Sequence, residues 1–475
     1  MKNKLKRGSI RTQKGVKIVH VKGSHYEMGY QHGYLLAEPI SVMLAKTQPA
    51  AVAVIAKTLH SSWEDAWRKY QAGADVAMPY VPECLLEEMR GIADGATDAG
   101  YPTSLDEIRT WNSMYDQWCI YAHPHFWNVN DPATRGQYDK HGPGTRVLTG
   151  AGCSSFSAWG ESVAGEGKMI FCKNEDNLNL PGQLEHRYMF ISEPENGPSH
   201  LYLAFPGMVG FDGGFNANGI GVMTQYNASI HETMEGCGLG VLTRLALLNG
   251  SDLDTTLDVF RNNPRRTGIA YHCADAINRQ AAVIECSAKV TQVRYPLENT
   301  SCLWQSNHSV CYPGYMGYSG YNYVQDQQLV YELNDVSTVQ NFLGSLKEPY
   351  NFVVPAPSRF ERYDQLLHKH YGDINLDIAK EIMCDRYDPY TKKTRPLGVP
   401  SYTNNILATI SAYYPEEKFV TPTEEFYAGV ANLWCLVTEP ETGDFWLAIK
   451  SFPANEGEFC RFNFFDLIAE NLSCK

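Results

Sequence analysis

The sequence lacks several features that would place a protein in a class at once. Its 13 cysteines include no Cys-x-x-Cys pair, so neither a structural zinc site nor a disulfide framework is indicated. The most apolar stretch, Ala50–Ala56, ends at Lys57, well short of the roughly 18 residues that cross a membrane. The start, Met1 to Lys17, has no apolar core of signal-peptide length. These absences predict a cytoplasmic protein with reduced cysteines and no membrane span.

Basic residues are also in deficit. The chain has 40 Lys and Arg against 53 Asp and Glu, a formal net charge of −13. A nucleic-acid partner would favour a basic face, so none is expected. The basic cluster between Lys2 and Lys17 is more typical of a solvated tail. With 475 residues, the chain is long enough for one large or two medium domains.

The first part of the chain favours helices. Residues 18–119 carry apolar side chains at helical spacing, and Ser104 followed by Glu107 predicts a capping box. A polar connection from Tyr121 to Gly144, rich in His, Pro, Asn and Asp, then leads to Cys153.

After Cys153, short strands separated by Gly, Pro and Asn turns dominate. Helices are predicted at 239–248 and 253–261, and Ser358 with Glu361 predicts a capping box that opens a third. Because strands, helices and strands follow one another in blocks, the pattern indicates an α+β fold rather than alternating βαβ units. The predicted strands are 156–159, 169–173, 187–192, 200–205, 219–225, 269–274, 281–286, 291–295, 433–438 and 445–451.

The chemistry concentrates around Cys153. The segment 152–156 (Gly-Cys-Ser-Ser-Phe) sets a thiol at the mouth of a strand, and the hairpin that follows returns Lys173–Asp176 to its vicinity. The stretch 207–221 is rich in glycine, which allows close backbone approach and frees N–H groups for an anion. Ser306–His308 ends a later strand, and Ser358–Arg362 opens a helix.

Taken in order, these pieces resemble the acyl-coenzyme A:6-aminopenicillanic acid acyltransferase family of N-terminal nucleophile hydrolases. The chain is similar, more distantly, to penicillin V acylase and bile salt hydrolase. The resemblance implies a four-layer αββα sandwich and a precursor that cuts its own Gly152–Cys153 bond. It thereby implies a helical small chain, residues 1–152, and a catalytic large chain, residues 153–475. The matching pieces are 28–33, 87–95, 152–156, 173–176, 214–219, 282–285, 306–308 and 358–362.

The resemblance assigns Cys153 as the nucleophile, with its own freed α-amine as the base. An α-amine titrates near pH 7.7–8 and can take the thiol proton locally. Lys173 is then a candidate activator of the thiol, although the family usually has arginine there, and Asp176 would orient the ammonium.

The resemblance also implies an oxyanion site. It would be formed by the Asn307 amide and a backbone N–H near Gly214–Asn216. Arg359 would support the site as a fixed charge, and Ser358 beside it would assist self-cleavage.

The expected function is therefore a self-processing cysteine amidohydrolase or acyltransferase acting on a small N-acylated compound. No cofactor or metal is expected; the two cleaved chains would stay associated, and homo-oligomer formation is left open. An acyl-lipid or phospholipase B-like hydrolase with the same nucleophile is an alternative.

Two further alternatives need no N-terminal amine. A papain-like enzyme would pair an internal cysteine with His32, His272 or His308, although the local signature of a papain-type cysteine is absent. A metal-binding or non-catalytic binding protein would use His308 and Cys311, with Cys286 and Cys302 upstream.

Overall fold

The architecture is taken from a computed structural model that describes residues 7–122, 152–227, 232–307, 310, 355–389, 392–400, 409–413 and 416–473. The polar connection before Cys153 lies outside the described residues from position 123 onward.

The N-terminal segment begins with two strands and continues as helices. Ser24 and Ser104 each close a capping box at the start of a helix, so the box predicted at Ser104–Glu107 is confirmed. The elements are β1 (Ser9–Gln13), β2 (Val16–Gly23), α1 (His25–Leu35), α2 (Ala37–Val42), α3 (Gln48–Leu59), α4 (Trp63–Ala77), α5 (Glu83–Asp98), α6 (Leu105–Asn112) and α7 (Met114–Ala122).

The remainder is a run of strands interrupted by two helical pairs. Strands come first: β3 (Gly152–Ala158), β4 (Ile170–Leu178), β5 (Tyr188–Pro194), β6 (His200–Ala204), β7 (Gly213–Asn216) and β8 (Ile220–Tyr226). Then follow α8 (Leu239–Asn249), α9 (Leu253–Asn262), β9 (Ile269–Asp275), β10 (Gln280–Cys286), β11 (Thr291–Arg294) and β12 (Cys302–Gln305). The last are α10 (Pro355–Lys369), α11 (Leu376–Met383), β13 (Tyr387–Asp388), β14 (Lys393–Thr394), β15 (Glu417–Val420), β16 (Glu425–Ala428), β17 (Val430–Glu439), β18 (Asp444–Ala448), β19 (Cys460–Asn463) and α12 (Phe464–Ser473).

Two large sheets pack face to face. A nine-stranded sheet runs in the order β1-β2-β5-β6-β7-β8-β9-β10-β11, and a six-stranded sheet in the order β12-β3-β4-β17-β18-β19. Helices α8 and α9 pack on the outside of the first sheet, and α10 and α11 on the outside of the second. Each sheet buries one face against the other sheet and the opposite face against helices. The predicted α+β class and the four-layer αββα arrangement are confirmed.

The N-terminal segment is built into this sandwich. Strand β2 pairs in parallel with β5 over six residue pairs, Ile18↔Met189 to Gly23↔Pro194. Glu88 of α5 forms a buried ion pair with Arg244 of α8, with Oε1 and Nη1 3.1 Å apart. The description of residues 1–152 as helical was therefore incomplete, because these residues also supply two strands of the larger sheet.

Helices α1 and α5 cross at glycines. A β-carbon on Gly29 would overlap the backbone carbonyl of Glu88, and one on Gly33 would overlap that of Ile92. From the other side, Gly91 and Gly95 approach the backbone of α1 in the same way. The two N-terminal pieces that carried the family resemblance thus form a contact that needs hydrogen in place of a side chain.

Two expectations change in the structure. Helix α10 begins at Pro355, so Ser358 lies in its first turn and is not the cap residue. Proline is favoured at the first helical position because its φ is already helical, which explains the earlier start.

The stretch Ala37–Leu59 is long and apolar enough to cross a membrane, and 61% of its apolar window is buried inside the protein. A buried core helix satisfies the same test.

Candidate active site

Cys153 lies on β3, and its neighbours are set by the pairing with β4. Cys153 stands directly opposite Glu175, and Gly152 stands opposite Asp176. Because side chains alternate along a strand, Lys173 and Glu175 share the face of Cys153, which looks toward the nine-stranded sheet. Asp176 points to the opposite face, toward the helical layer. The predicted return of a cation and a carboxylate to the vicinity of Cys153 is therefore confirmed.

Three separate groups hold Cys153. Its backbone N–H donates to Asn307 Oδ1 at 2.7 Å, and its carbonyl accepts a hydrogen bond from Arg359 Nη1 at 2.8 Å. Its thiol donates to Glu175 Oε2 at 2.9 Å. Arg359 also bonds Asn307 Oδ1 at 2.7 Å, so both sides of the Cys153 backbone are fixed by one buried guanidinium. The Cys153 residue is 5% exposed.

A buried charge cluster surrounds the thiol on the inter-sheet face. Lys173 Nζ lies 2.7 Å from Asp212 Oδ1 and 3.4 Å from Glu175 Oε2, and it also donates to the carbonyl of Thr224. Trp434 Nε1 donates to the other oxygen of Asp212 at 3.1 Å. Burial, and then the Glu175 carboxylate, raise the pKa of the Cys153 thiol well above its usual value, while Lys173 acts in the opposite direction. Burial and the Glu175 carboxylate thus both favour the protonated form of the thiol.

Asp176, directly opposite Gly152, lies on the other face of β4. Its Oδ1 accepts a hydrogen bond from Asn432 at 2.9 Å, and its Oδ2 lies 3.8 Å from Arg359. Among the described residues, Oδ2 has no hydrogen-bond donor although it is buried. Burial raises the pKa of Asp176 to about 6, against the lowering influence of Arg359. A buried carboxylate oxygen next to the Gly152–Cys153 bond is thus left ready to accept a donor.

Asn227, just after β8, was missed by the sequence analysis. Gln225 on β8 bonds Ser155 on β3, and β9 brings His272 to Ser155 and Ser157. Met223 on β8 pairs with His272, which contacts Ser155 and Ser157, and Gln225 contacts Ser155. Going from Met223 to Gln225, β8 therefore runs along β3 in the direction from Ser157 through Ser155 to Cys153. Asn227, two residues beyond Gln225, therefore lies on the same face, level with Cys153.

The Asn227 amide is buried, and neither its oxygen nor its nitrogen has a partner among the described residues. By contrast, the Asn307 amide is engaged on both sides, since Nδ2 donates to the carbonyl of Tyr226 at 2.7 Å. A buried amide without partners is costly unless something binds to it. Only the register between the two sheets could have pointed to this residue.

The structure does not bring Gly214 and Asn216 to Cys153. Asn216 lies at the far end of the β7–β8 hairpin, where its Nδ2 donates to the carbonyls of Leu247 and Gly250 and its Oδ1 accepts from two turn amides. Gly214 is a glycine because a β-carbon there would overlap the carbonyl of Leu201 on β6. Both residues thus have packing roles. The side chain of Ser358 lies outside the described residues.

Helix α7 covers the inter-sheet cluster. Tyr115 is 6% exposed, packs on Phe211 with ring centroids 4.1 Å apart, and has a hydroxyl without a partner among the described residues. Burial raises the pKa of Tyr115 well above its usual value, and the Glu175 carboxylate and the Cys153 thiol add to the shift in that order. The last described helix before Cys153 therefore places a buried phenol within electrostatic range of the thiol.

The histidines of the papain-like alternative lie elsewhere. His272 is bonded through both ring nitrogens to Ser155 and Ser157, at 2.8 and 2.9 Å. His32 accepts a hydrogen bond from the backbone N–H of Gly207 at 2.9 Å. His308 lies outside the described residues. In the described part of the chain, the group that takes a hydrogen bond from the Cys153 thiol is a carboxylate.

The metal alternative can be weighed at two places. Cys286 and Cys302 are buried, whereas His308 and Cys311 lie outside the described residues. Ligand atoms of Cys153, Glu175 and Asp212 lie within 4.8 Å of one another. The Lys173 ammonium already lies between the two carboxylates, so this cluster contains its own cation.

Comparison with known proteins finds one matching family model and one similar curated protein. The family model for acyl-coenzyme A:6-aminopenicillanic acid acyl-transferase matches residues 163–425, a range that begins after Cys153. An uncharacterized protein of Archaeoglobus fulgidus is 26% identical over 387 residues, which are 79% of this chain. The chain spans 58% of that relative's length.

Two solved structures share a weaker likeness. Conjugated bile acid hydrolase from Clostridium perfringens has a TM-score of 0.38 and 11% identity, covering 66% of this chain and 93% of that one. An N-acylethanolamine-hydrolyzing acid amidase ortholog from Caenorhabditis elegans has a TM-score of 0.34 and 13% identity, covering 61% and 93%. Likenesses this weak give no basis for transferring residue roles.

Proposed function

Because the chain belongs to the acyl-coenzyme A:6-aminopenicillanic acid acyltransferase family, we propose that it is a self-processing cysteine amidohydrolase or acyltransferase. Cleavage of the Gly152–Cys153 bond would make Cys153 an N-terminal nucleophile that acts on a small N-acylated compound. The main observation in support of this proposal is that Cys153 makes three hydrogen bonds. Its N–H, its carbonyl and its thiol each bond to a different polar side chain.

The surroundings of the Cys153 nitrogen suit a freed amine. Asn307 Oδ1 already lies 2.7 Å from this nitrogen, and Asp176, the residue opposite Gly152, has an oxygen without a hydrogen-bond donor among the described residues. An ammonium there gains two acceptors that a peptide N–H cannot use together. In its neutral form the same amine takes the thiol proton, since an α-amine titrates near pH 7.7–8. Asp176 and Asn307 then set the orientation of the amine.

The acyl carbonyl of a substrate develops negative charge when the thiolate attacks it. The Asn227 amide, level with Cys153 and without a hydrogen-bond partner in the described part of the chain, is our choice for the donor that binds this oxyanion, in place of Gly214 and Asn216. One such donor contributes about 3–4 kcal/mol, or 10²–10³ in rate. Arg359 keeps the Cys153 carbonyl in place and adds a positive charge to the site.

The two chains produced by cleavage would remain together. Strand β2 of the small chain pairs with β5 of the large chain, and Glu88 pairs with Arg244 inside the protein. Leaving one partner of such a buried ion pair alone costs about 3–5 kcal/mol, which opposes separation. The mature protein is therefore proposed to be a tight complex of residues 1–152 and 153–475.

Gel electrophoresis and intact mass test the proposal. The purified wild-type chain should yield two fragments of the sizes of 1–152 and 153–475, with Cys153 as a new N-terminus. Cys153→Ala should stay whole while it keeps the wild-type melting temperature.

A screen of N-acyl amino acids and penicillin V for release of amine then tests turnover. A folded wild-type chain that remains whole, or one that hydrolyses amides without cleavage, would rule out the N-terminal mechanism.

A further inference from the structure

The uncut chain has a chemical difficulty at Cys153. Its nitrogen is a peptide N–H that donates to Asn307 at 2.7 Å, so it cannot serve as the base that the mature enzyme would have. Self-cleavage nevertheless requires the thiol to lose its proton. Among the described residues, the acceptor in contact with that proton is Glu175 Oε2, 2.9 Å from Sγ.

Glu175 is held firmly in that position. It stands directly opposite Cys153 in the β3–β4 ladder, and its other oxygen accepts a hydrogen bond from Asn177 Nδ2 at 3.1 Å. The carboxylate is fully buried, so no bulk water competes for the thiol proton. Its geometry meets the first requirement of a general base, which is hydrogen-bond contact with the proton to be moved.

The groups around Glu175 favour uptake of a proton. Lys173 on the same strand lies 3.4 Å from Oε2, and Asp212, just before β7, lies 2.7 Å from the Lys173 ammonium. Tyr115 and Cys119 of α7 lie within electrostatic range of Glu175, whose charge raises the pKa of both groups. One cation thus serves two carboxylates in a buried site. Burial, and then Asp212, raise the pKa of Glu175 well above its usual value, while Lys173 lowers it.

We propose that Glu175 is the general acid–base of the self-cleavage step, a role that rests on the proposed function. The thiol proton moves from Sγ to Glu175 Oε2 as the sulfur bonds to the carbonyl carbon of Gly152. The carbon–nitrogen bond then breaks, and the Glu175 proton passes to the departing Cys153 nitrogen. A water hydrolyses the resulting thioester, leaving a Gly152 carboxylate and a Cys153 with both thiol and amine free.

The proposal separates processing from turnover. Once the Cys153 amine exists, it replaces Glu175 as the base, so Glu175 is required for maturation and much less for later cycles. General acid–base groups contribute about 10²–10⁴ in rate. Glu175→Gln keeps the size of the side chain and removes the base, so processing should slow at least about 100-fold.

The experiment follows full-length chain made by cell-free synthesis and diluted into buffers of different pH. The uncut fraction is measured by gel over time for wild type, Glu175→Gln and Glu175→Asp. Glu439→Gln is the control, because Glu439 on β17 is a part-buried carboxyl whose pKa is also raised by burial but which lies away from the thiol. Turnover is measured per mole of processed chain.

Slow processing by Glu175→Gln, partial recovery in Glu175→Asp and an unaffected Glu439→Gln are expected. If Glu175→Gln is processed at the wild-type rate, Glu175 is not the acid–base group, and the proposed function still stands. If the wild-type chain is never cut, the proposed function itself is wrong. Should Glu175→Gln fail to fold, the wild-type pH profile decides. The processing rate must rise with pH, and the midpoint of this rise must lie above the usual pKa of a glutamate, because Glu175 acts as a base only after it has lost its proton. A processing rate that does not change with pH would refute the proposal.

Discussion

The Asn227 amide offers the sharpest test of the site, because its removal should reduce catalysis strongly and leave stability almost unchanged. Asn227→Ala removes a buried amide that makes no hydrogen bond with the described residues. If that amide binds the oxyanion, kcat should fall by about 10²–10³ with little change in KM. The loss corresponds to about 3–4 kcal/mol of transition-state stabilisation.

The stability of the same variant should hardly change. No side-chain hydrogen bond to the described residues is lost, and removing a buried polar group without a partner is close to neutral or favourable. Urea unfolding should therefore give a midpoint within error of wild type. The values of kcat and KM are measured with a substrate found in the amine-release screen.

Asn216→Ala is the matched control. This asparagine makes its hydrogen bonds to the carbonyls of Leu247 and Gly250 and to the amides of Asn218 and Ile220. At roughly 1 kcal/mol for each bond, its loss should cost about 4 kcal/mol of folding free energy, with kcat per folded molecule retained. The reverse pattern, with activity lost in Asn216→Ala and retained in Asn227→Ala, would refute the placement of the oxyanion site.

Three further variants test other parts of the structure. In the uncut Cys153→Ala background, Asp176→Asn should change the pH dependence of stability. The Asp176 pKa of about 6 in the folded, uncut chain exceeds the unfolded value of about 3.9, so Cys153→Ala alone should lose about 3 kcal/mol as pH rises through that window. The double variant should not, and equal pH slopes in urea unfolding would exclude this cause. Gly33→Ala should lower the melting temperature, since its β-carbon meets the Ile92 carbonyl, and an unchanged melting curve would contradict the close approach. Lys173→Met leaves Asp212 without its cation and should cost about 3–5 kcal/mol in chemical unfolding, whereas a neutral result would mean that the carboxylates take up protons instead.

Much of the fold followed from local pattern. Strand and helix blocks after Cys153 were predictable because apolar spacing and turn residues act over a few positions. The Ser104–Glu107 box was found in the same way, whereas the start of α10 at Pro355 was missed in favour of a box at Ser358. The strands β1 and β2 escaped notice because their place in the larger sheet depends on β5, a partner far along the chain.

The sequence by itself determined the residues of the Cys153 motif and those that the structure gathers around it, namely Asp176, Asn307, Arg359 and Lys173. Only tertiary structure decided that Glu175 contacts the thiol, that Asn227 is level with it, and that Asn216 lies at the far end of its hairpin. The physical reason is range. Alternation along one strand is a local property, but which residues of two packed sheets meet depends on the register between them, and that register is set by the whole core.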